Sequence, residues 1–153
     1  MTAIDDRLTA LGITLPDAPP PAANYVPFVT VGSMVYVSGQ ISQDEGGLIK
    51  GRLGRTMTVE DGAAAARRCG ISILAQMKRA CGGDLSRVLR AVKLTGFVNS
   101  TPDFTDQPKV INGCSDLLVA VFGDAGKHAR SAVSAAALPL GVAVEIEAIF
   151  EIR

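Results

Sequence analysis

Histidine occurs once in this 153-residue chain, tryptophan is absent, and aromatic residues make up only 5%. A zinc site is therefore not expected. His128 has no second imidazole to join it, and Cys69, Cys81 and Cys114 lack the paired short spacing of a metal knuckle. Three cysteines also give no disulfide framework, which points to a reduced, cytoplasmic compartment. A triad built on His128 would need a nucleophile that no local motif marks. Charge of one sign is lacking too: Lys+Arg and Asp+Glu are 15 each, so no long-range field draws in nucleic acid or an anionic membrane. Arg52, Arg55, Arg67 and Arg68 allow a local basic patch, but it has no aromatic stacking platform beside it. No apolar run is long enough to span a bilayer. The opening "MTAIDDRLTALGITLP" carries two early aspartates and no continuous apolar stretch, so it does not read as a signal peptide.

What is present suits a globular protein. Hydrophobic residues are 48% and charged residues 20%, at a length close to the commonest size for one domain. One domain is expected over 1–153, with 1–23 supplying an N-terminal helix (residues 4–13) and a proline-rich strap, "LPDAPPPAAN". "YVPFVTVGSMVYVSGQIS" gives two short strands around Gly32-Ser33. The glycines of "QDEGGLIKGRLGR" do not follow a strand and open a helix, so this stretch reads as a loop with a strand fragment and not as a phosphate cradle. Thr58 with Asp61 marks the start of an alanine-rich helix from Val59 to Cys81, buried along Ala66, Gly70, Ile73, Met77 and Ala80. Met77 on that stripe is core. "LSRVLRAVKLTGFVNS" alternates as a long strand with Val88, Val92, Leu94 and Val98 on one side. A second helix runs from Pro108 in its first turn to a stop at Gly123, and two strands follow, Arg130–Leu138 and Val142–Ile152. The order strand-strand-helix-strand-helix-strand-strand predicts an α+β fold with both helices on one face of a sheet.

The last two strands pose a question of solvation. Val144, Ile146, Ala148, Phe150 and Ile152 form an apolar stripe suited to the helices, while Glu145, Glu147 and Ile149 share the other side. In the preceding strand Arg130, Ala132, Ser134 and Ala136 share one side, read here as the same open face. Charges are rarely buried unless paired. The small residues of "SAVSAAA" admit a close neighbour, so an oligomer covering this face is the natural inference. On the pattern alone, Arg130 and Glu145 are accounted for by an ion pair at a subunit interface.

"SGQI", a helix, "VIN" opening a second helix, and "ARSAV…LP…VEIEAI" together resemble the YjgF/RidA (endoribonuclease L-PSP) family over nearly everything after Ala23. The longer N-terminus resembles a subgroup of longer members. The resemblance implies a chorismate-mutase-like fold, a mixed sheet with two helices packed on one face, and a homotrimeric barrel with clefts between subunits. It implies hydrolysis of reactive 2-imino acids to 2-keto acids and ammonia, with neither metal nor organic cofactor. By position, Arg130 resembles the arginine that grips the substrate carboxylate, and Glu145 the glutamate beside the attacking water. Gly39 would offer a backbone group with Ser38 next to it, and Tyr25 and Asn112 would line the same cleft. Two departures stand out: Ala132 replaces a common cysteine, and the segment between Asn112 and Arg130 is one residue longer than usual. Read without the family, Tyr25 is a packing residue, Asn112 a backbone-ordering one, and Gly39 a bulge or close approach. His128 reads as a surface residue, and Cys114 as a small buried one. The alternatives to the deaminase are a non-catalytic trimer that binds small carboxylates or has a regulatory role, and, less favoured, an endoribonuclease.

Overall fold

The computed structural model describes residues 1–18 and 24–153; part of the proline-rich strap lies outside the described residues. Helix α1 (Ala3–Ala10) opens with a reciprocal cap: the Thr2 hydroxyl accepts from the Asp5 backbone, and the Asp5 carboxylate accepts from that of Thr2. It packs through Leu8 against the outside of the body, and Arg7 donates to the Val121 carbonyl at 2.9 Å. Strands β1 (Phe28–Val31) and β2 (Met34–Ile41) form the expected pair around Gly32-Ser33. A small hairpin comes next, β3 (Gln43–Asp44) with β4 (Gly47–Leu48). Helix α2 (Val59–Ala80) starts where Thr58 accepts from the Asp61 backbone, as its sequence predicts. Then come β5 (Val88–Asn99), α3 (Gln107–Phe122), β6 (Ala129–Ala135) and β7 (Val144–Ile152).

The main sheet has the order β1-β2-β7-β5-β6. It is mixed: β6 runs parallel to β5 after the α3 crossover, and the other pairings are antiparallel. The apolar side of β7 is buried from Val144 to Ile152 beneath α2 and α3, as expected. One expectation fails on β5. Register shifts at Val88/Arg90 and Ala91/Lys93 break the alternation, so Ala91 takes the buried place and Val92 is only half-buried. A bulge sets two residues against one and re-aims the side chains beyond it, and parity counted along the sequence does not see it. The other sheet face carries Val29, Val31, Tyr36 and Val133, all exposed. Among the described residues, no helix is long and apolar enough to cross a membrane.

The two covering helices touch at glycines. A methyl group on Gly113 of α3 would collide with the Ala63 carbonyl of α2, and one on Gly70 would stand 2.9 Å from Leu117 and 3.1 Å from Cys114. Backbone cannot yield as a flexible side chain can. Gly113→Ala is therefore expected to destabilise the protein by about 3 kcal/mol, as overpacking does. Urea unfolding of the variant checks this, and an unchanged midpoint would show that the helices separate freely.

Candidate functional site

The predicted site residues fall into two groups. The first lies where β2 is irregular. Its register against β7 slips between Val37 and Gln40, which places Ser38 and Gly39 in a bulge. The bulge admits the Glu145 side chain: a methyl group on Gly39 would overlap its carboxylate and lie 3.1 Å from its Cγ. Tyr25, Gly39, Gln40, Gln76, Pro139 and Glu145 contribute to the walls of a cavity of about 270 Å³. Ser38 is tied back instead, its hydroxyl donating to the Val26 carbonyl at 2.8 Å and its backbone N–H to Pro27 at 2.9 Å. It holds the Tyr25–Pro27 segment against β2 and lies outside the cavity wall.

Arg130 forms the second group, on the edge strand β6. Its Nη1 donates to Asn112 Oδ1 at 2.8 Å and to Ser115 Oγ at 3.2 Å, both on α3. Ser115 in turn meets His128 Nε2 at 2.9 Å, and His128 Nδ1 meets the Gly126 carbonyl at 2.6 Å. A carbonyl only accepts, so Nδ1 carries the hydrogen. With the ring neutral, Nε2 then accepts from the serine hydroxyl. A directed chain of hydrogen bonds thus runs from the guanidinium through Ser115 and His128 to the backbone. His128 is half-buried in it, not the loose surface residue expected from its loop position. Asn112 sits inside α3, past the helix start, and faces β6. Sequence reasoning overlooked Ser115 and placed His128 at the surface, but a signal existed. Asn112 and Ser115 are three apart on one helix face, and His128 precedes Arg130 by two at the start of a strand.

The structure does not bring the two groups together within one chain. Arg130 pairs in register with Leu94 and Ala132 with Gly96, residues buried under the helices, so Arg130 lies on the helix side of the sheet. Glu145 pairs with Phe97 and Ile41, on the opposite side from the buried Val144 and Ile146. The expectation that both charges share the open face is corrected. Alternation says which residues share a side but not which side meets the helices, and β6 has no bulky apolar stripe to decide it. Of the arginines read as a local basic patch, Arg52 donates to the Ser100 carbonyl at 3.5 Å. Arg68 is paired with Glu45 at 3.1 Å, while Arg67 lines a separate cavity.

Residues 5–151 match the YjgF/chorismate mutase-like endoribonuclease family. The chain belongs to that family. It is 52% identical to Protein TCP17 of Trypanosoma cruzi, covering 96% of this chain and 92% of that one. It also resembles the crystal structure of an Agrobacterium tumefaciens protein of unknown function, at 48% identity and a TM-score of 0.91, covering 98% of this chain and 94% of that one. Against RidA from the Antarctic bacterium Psychrobacter sp. PAMC 21119 the identity is 32% and the TM-score 0.58, with 91% and 98% covered. The YjgF-type fold expected from the C-terminal signature is the fold found.

Electrostatics separates the groups of this YjgF-family chain that can take part in proton transfer from those that cannot. Burial pushes the Cys114 thiol up to about 12, and Cys69 higher than an ordinary thiol as well. Both thiols are buried, where the thiolate is disfavoured. Among the described residues, no three His, Cys, Asp or Glu side chains gather where they could hold a metal ion. Glu145 has its pKa raised, first by burial and then by the neighbouring Glu147 carboxylate. A carboxyl whose folded-state pKa is raised favours folding below its unfolded pKa, and that contribution is lost as pH climbs through the folded value. Glu145→Gln removes the charge and the titration. We expect the variant to melt higher than wild type at about pH 7.5, with the gap narrowing as pH falls and closing at about pH 3, where the carboxyl is protonated in both states. A gap independent of pH, measured by thermal melts across this range, would contradict the assignment.

Proposed function

We propose that the protein hydrolyses reactive 2-imino acids to 2-keto acids and ammonia, in clefts completed by a second copy of the chain. The observation that carries this reading is the division of the site. A guanidinium fixed by Asn112 and Ser115 lies on one face, and a carboxylate of raised proton affinity lies against the Gly39 bulge on the other. Each is half of a site for a small anionic imine. The open face with its exposed Val29, Val31, Tyr36 and Val133 supports an assembly, and a homotrimer is the arrangement the family resemblance implies.

In this reading Arg130 takes the substrate carboxylate through two parallel hydrogen bonds, which sets the imine carbon as well as neutralising the charge. The bonds it donates to Asn112 and Ser115 keep the guanidinium plane from turning. Water adds to C2 as Glu145 accepts its proton, and a carboxylate with a raised pKa is the better acceptor near neutrality. Glu145 returns that proton to nitrogen to give the carbinolamine, and then carries the hydroxyl proton to nitrogen as the C–N bond breaks, so that the C2–O bond becomes the ketone and ammonia leaves. Imines hydrolyse readily, so placement accounts for most of the required assistance. Tyr25 and the backbone at Gly39 flank the ligand, while Ser38 acts by holding the segment that carries Tyr25. RNA cleavage is disfavoured by the scattered, partly neutralised arginines.

An amino-acid oxidase can generate the imino acid in place, with ammonia release followed over time. Arg130→Ala is expected to lower kcat/KM ~100-fold or more, the size of effect seen when a charged partner is truncated. Glu145→Gln should lower kcat. Co-expressing the two inactive variants should rebuild about a quarter of the sites by random mixing in a closed oligomer. A mixture as inactive as its parts would refute a shared site. Keto-acid-dependent thermal stabilisation without turnover of any imine would instead identify a carboxylate-binding module.

A further inference from the structure

Gln76 lies on α2 in the wall of the Glu145 cavity, only 1% exposed, and its Oε1 has no hydrogen-bond partner. Burying an amide oxygen without a donor costs on the order of 1–3 kcal/mol. Two other buried side-chain atoms among the described residues, Arg52 Nε and Thr101 Oγ1, also lack a partner, but neither residue lines this cavity, and buried polar side chains nearer to it are satisfied. Ser42 donates to the Ile49 carbonyl at 2.8 Å, and Asn99 to Val142 at 3.2 Å. Gln76 is also shared with an adjoining cavity of about 320 Å³, the two being separated by Gln40, Gln43 and Gln76. That second cavity is lined by Asp17, Asp44 and Glu45, against the single cation Arg68, which Glu45 already pairs. A side chain with an unmet acceptor thus lines both the cavity of the candidate base and a negatively charged chamber beside it.

We infer that Gln76 is a specificity-determining residue, and that the preferred ligand is a 2-imino or 2-keto acid whose side chain ends in a cationic N–H donor. The α-carboxylate meets Arg130 and C2 stands by Glu145. The side chain runs toward α2, where Gln76 Oε1 accepts from it and the carboxylates beyond stabilise its charge. A guanidinium terminus suits this best, because its planar fork can bond one acceptor and leave further donors for the chamber. A plain alkyl side chain of similar length would leave Oε1 unmet. The cleft then discriminates by the cost of an unsatisfied buried polar group, a stronger filter than apolar fit.

This inference rests on the deaminase reading for turnover but not for binding, so the two can fail separately. The substrates are the imino acids formed in place from arginine and from norleucine, and the binding probes are 2-oxo-5-guanidinopentanoate and 2-oxohexanoate measured by calorimetry. Wild type should favour the guanidino compound in both assays. Gln76→Met, similar in shape but without the acceptor, should weaken the guanidino ligand about tenfold or more while leaving the alkyl ligand unchanged. Gln76→Glu keeps an acceptor and should retain the preference, which covers the event that the methionine variant does not fold. Equal losses for both ligands would assign Gln76 to the fold or to holding water, and no loss for either would remove it from the cleft; both results overturn the proposal. If neither imino acid is turned over but the binding preference and its response to Gln76→Met appear, the deaminase reading fails and the specificity assignment stands.

Discussion

The structure depends on β7. It is bonded on both edges, to β2 and to β5, and its buried side from Val144 to Ile152 is the floor on which α2 and α3 stand. Each of those five residues is apolar, and a strand that buries one face must put every second side chain on the other. Glu145 and Glu147 occupy the second parity. Their position is a consequence of the core rather than an exception to it. A slip of one residue would send both carboxylates under the helices, so the same burial that stabilises the fold fixes where the candidate base points.

That pattern was readable in the sequence because β7 has large side chains on one parity and charges on the other. The helices were readable for a similar reason: Thr58 caps α2, Pro108 opens α3, and α3 buries a continuous stripe, although α2 is buried on all sides from Cys69 to Met77. Two features were not. β5 carries bulges that no residue announces, so Ala91 replaced Val92 in the core. β6 offers Ala132 and Ser134 on one parity and Ser131, Val133 and Ala135 on the other, a contrast too weak to orient the strand. Its side is set by parallel pairing with β5, a long-range contact, and Arg130 went with it to the helix face. The same blindness hid Ser115 and the bonded role of His128, which appear only once α3 and β6 lie side by side.

The satisfied and unsatisfied polar groups differ in what they require of their surroundings. Ser42, with Asn99 and Ser100, closes backbone positions at the end of the sheet and makes hydrogen bonds at short range. These residues stabilise geometry and ask for nothing more. Gln76 is buried as deeply, yet its carbonyl faces no donor. An apolar residue of like volume would suit the core better if packing were all that mattered, and on the proposed reading a visiting donor gives the amide its purpose.

The placement of Arg130 and Glu145 on opposite faces also constrains any assembly in which they act together. One sheet cannot fold back to join its own two sides without breaking the β5–β7 ladder that defines the core. A second copy can join them by translation and rotation, presenting its β6 edge and α3 to the bulge of the first. Such a contact is heterologous, since it joins unlike patches, and only a ring closes it without leaving one patch exposed. On the proposed reading, oligomer formation and site formation are therefore a single event. The small side chains of β6 then have a purpose that core packing does not give them: they let a neighbouring surface come close enough for a guanidinium and a carboxylate to reach one small ligand.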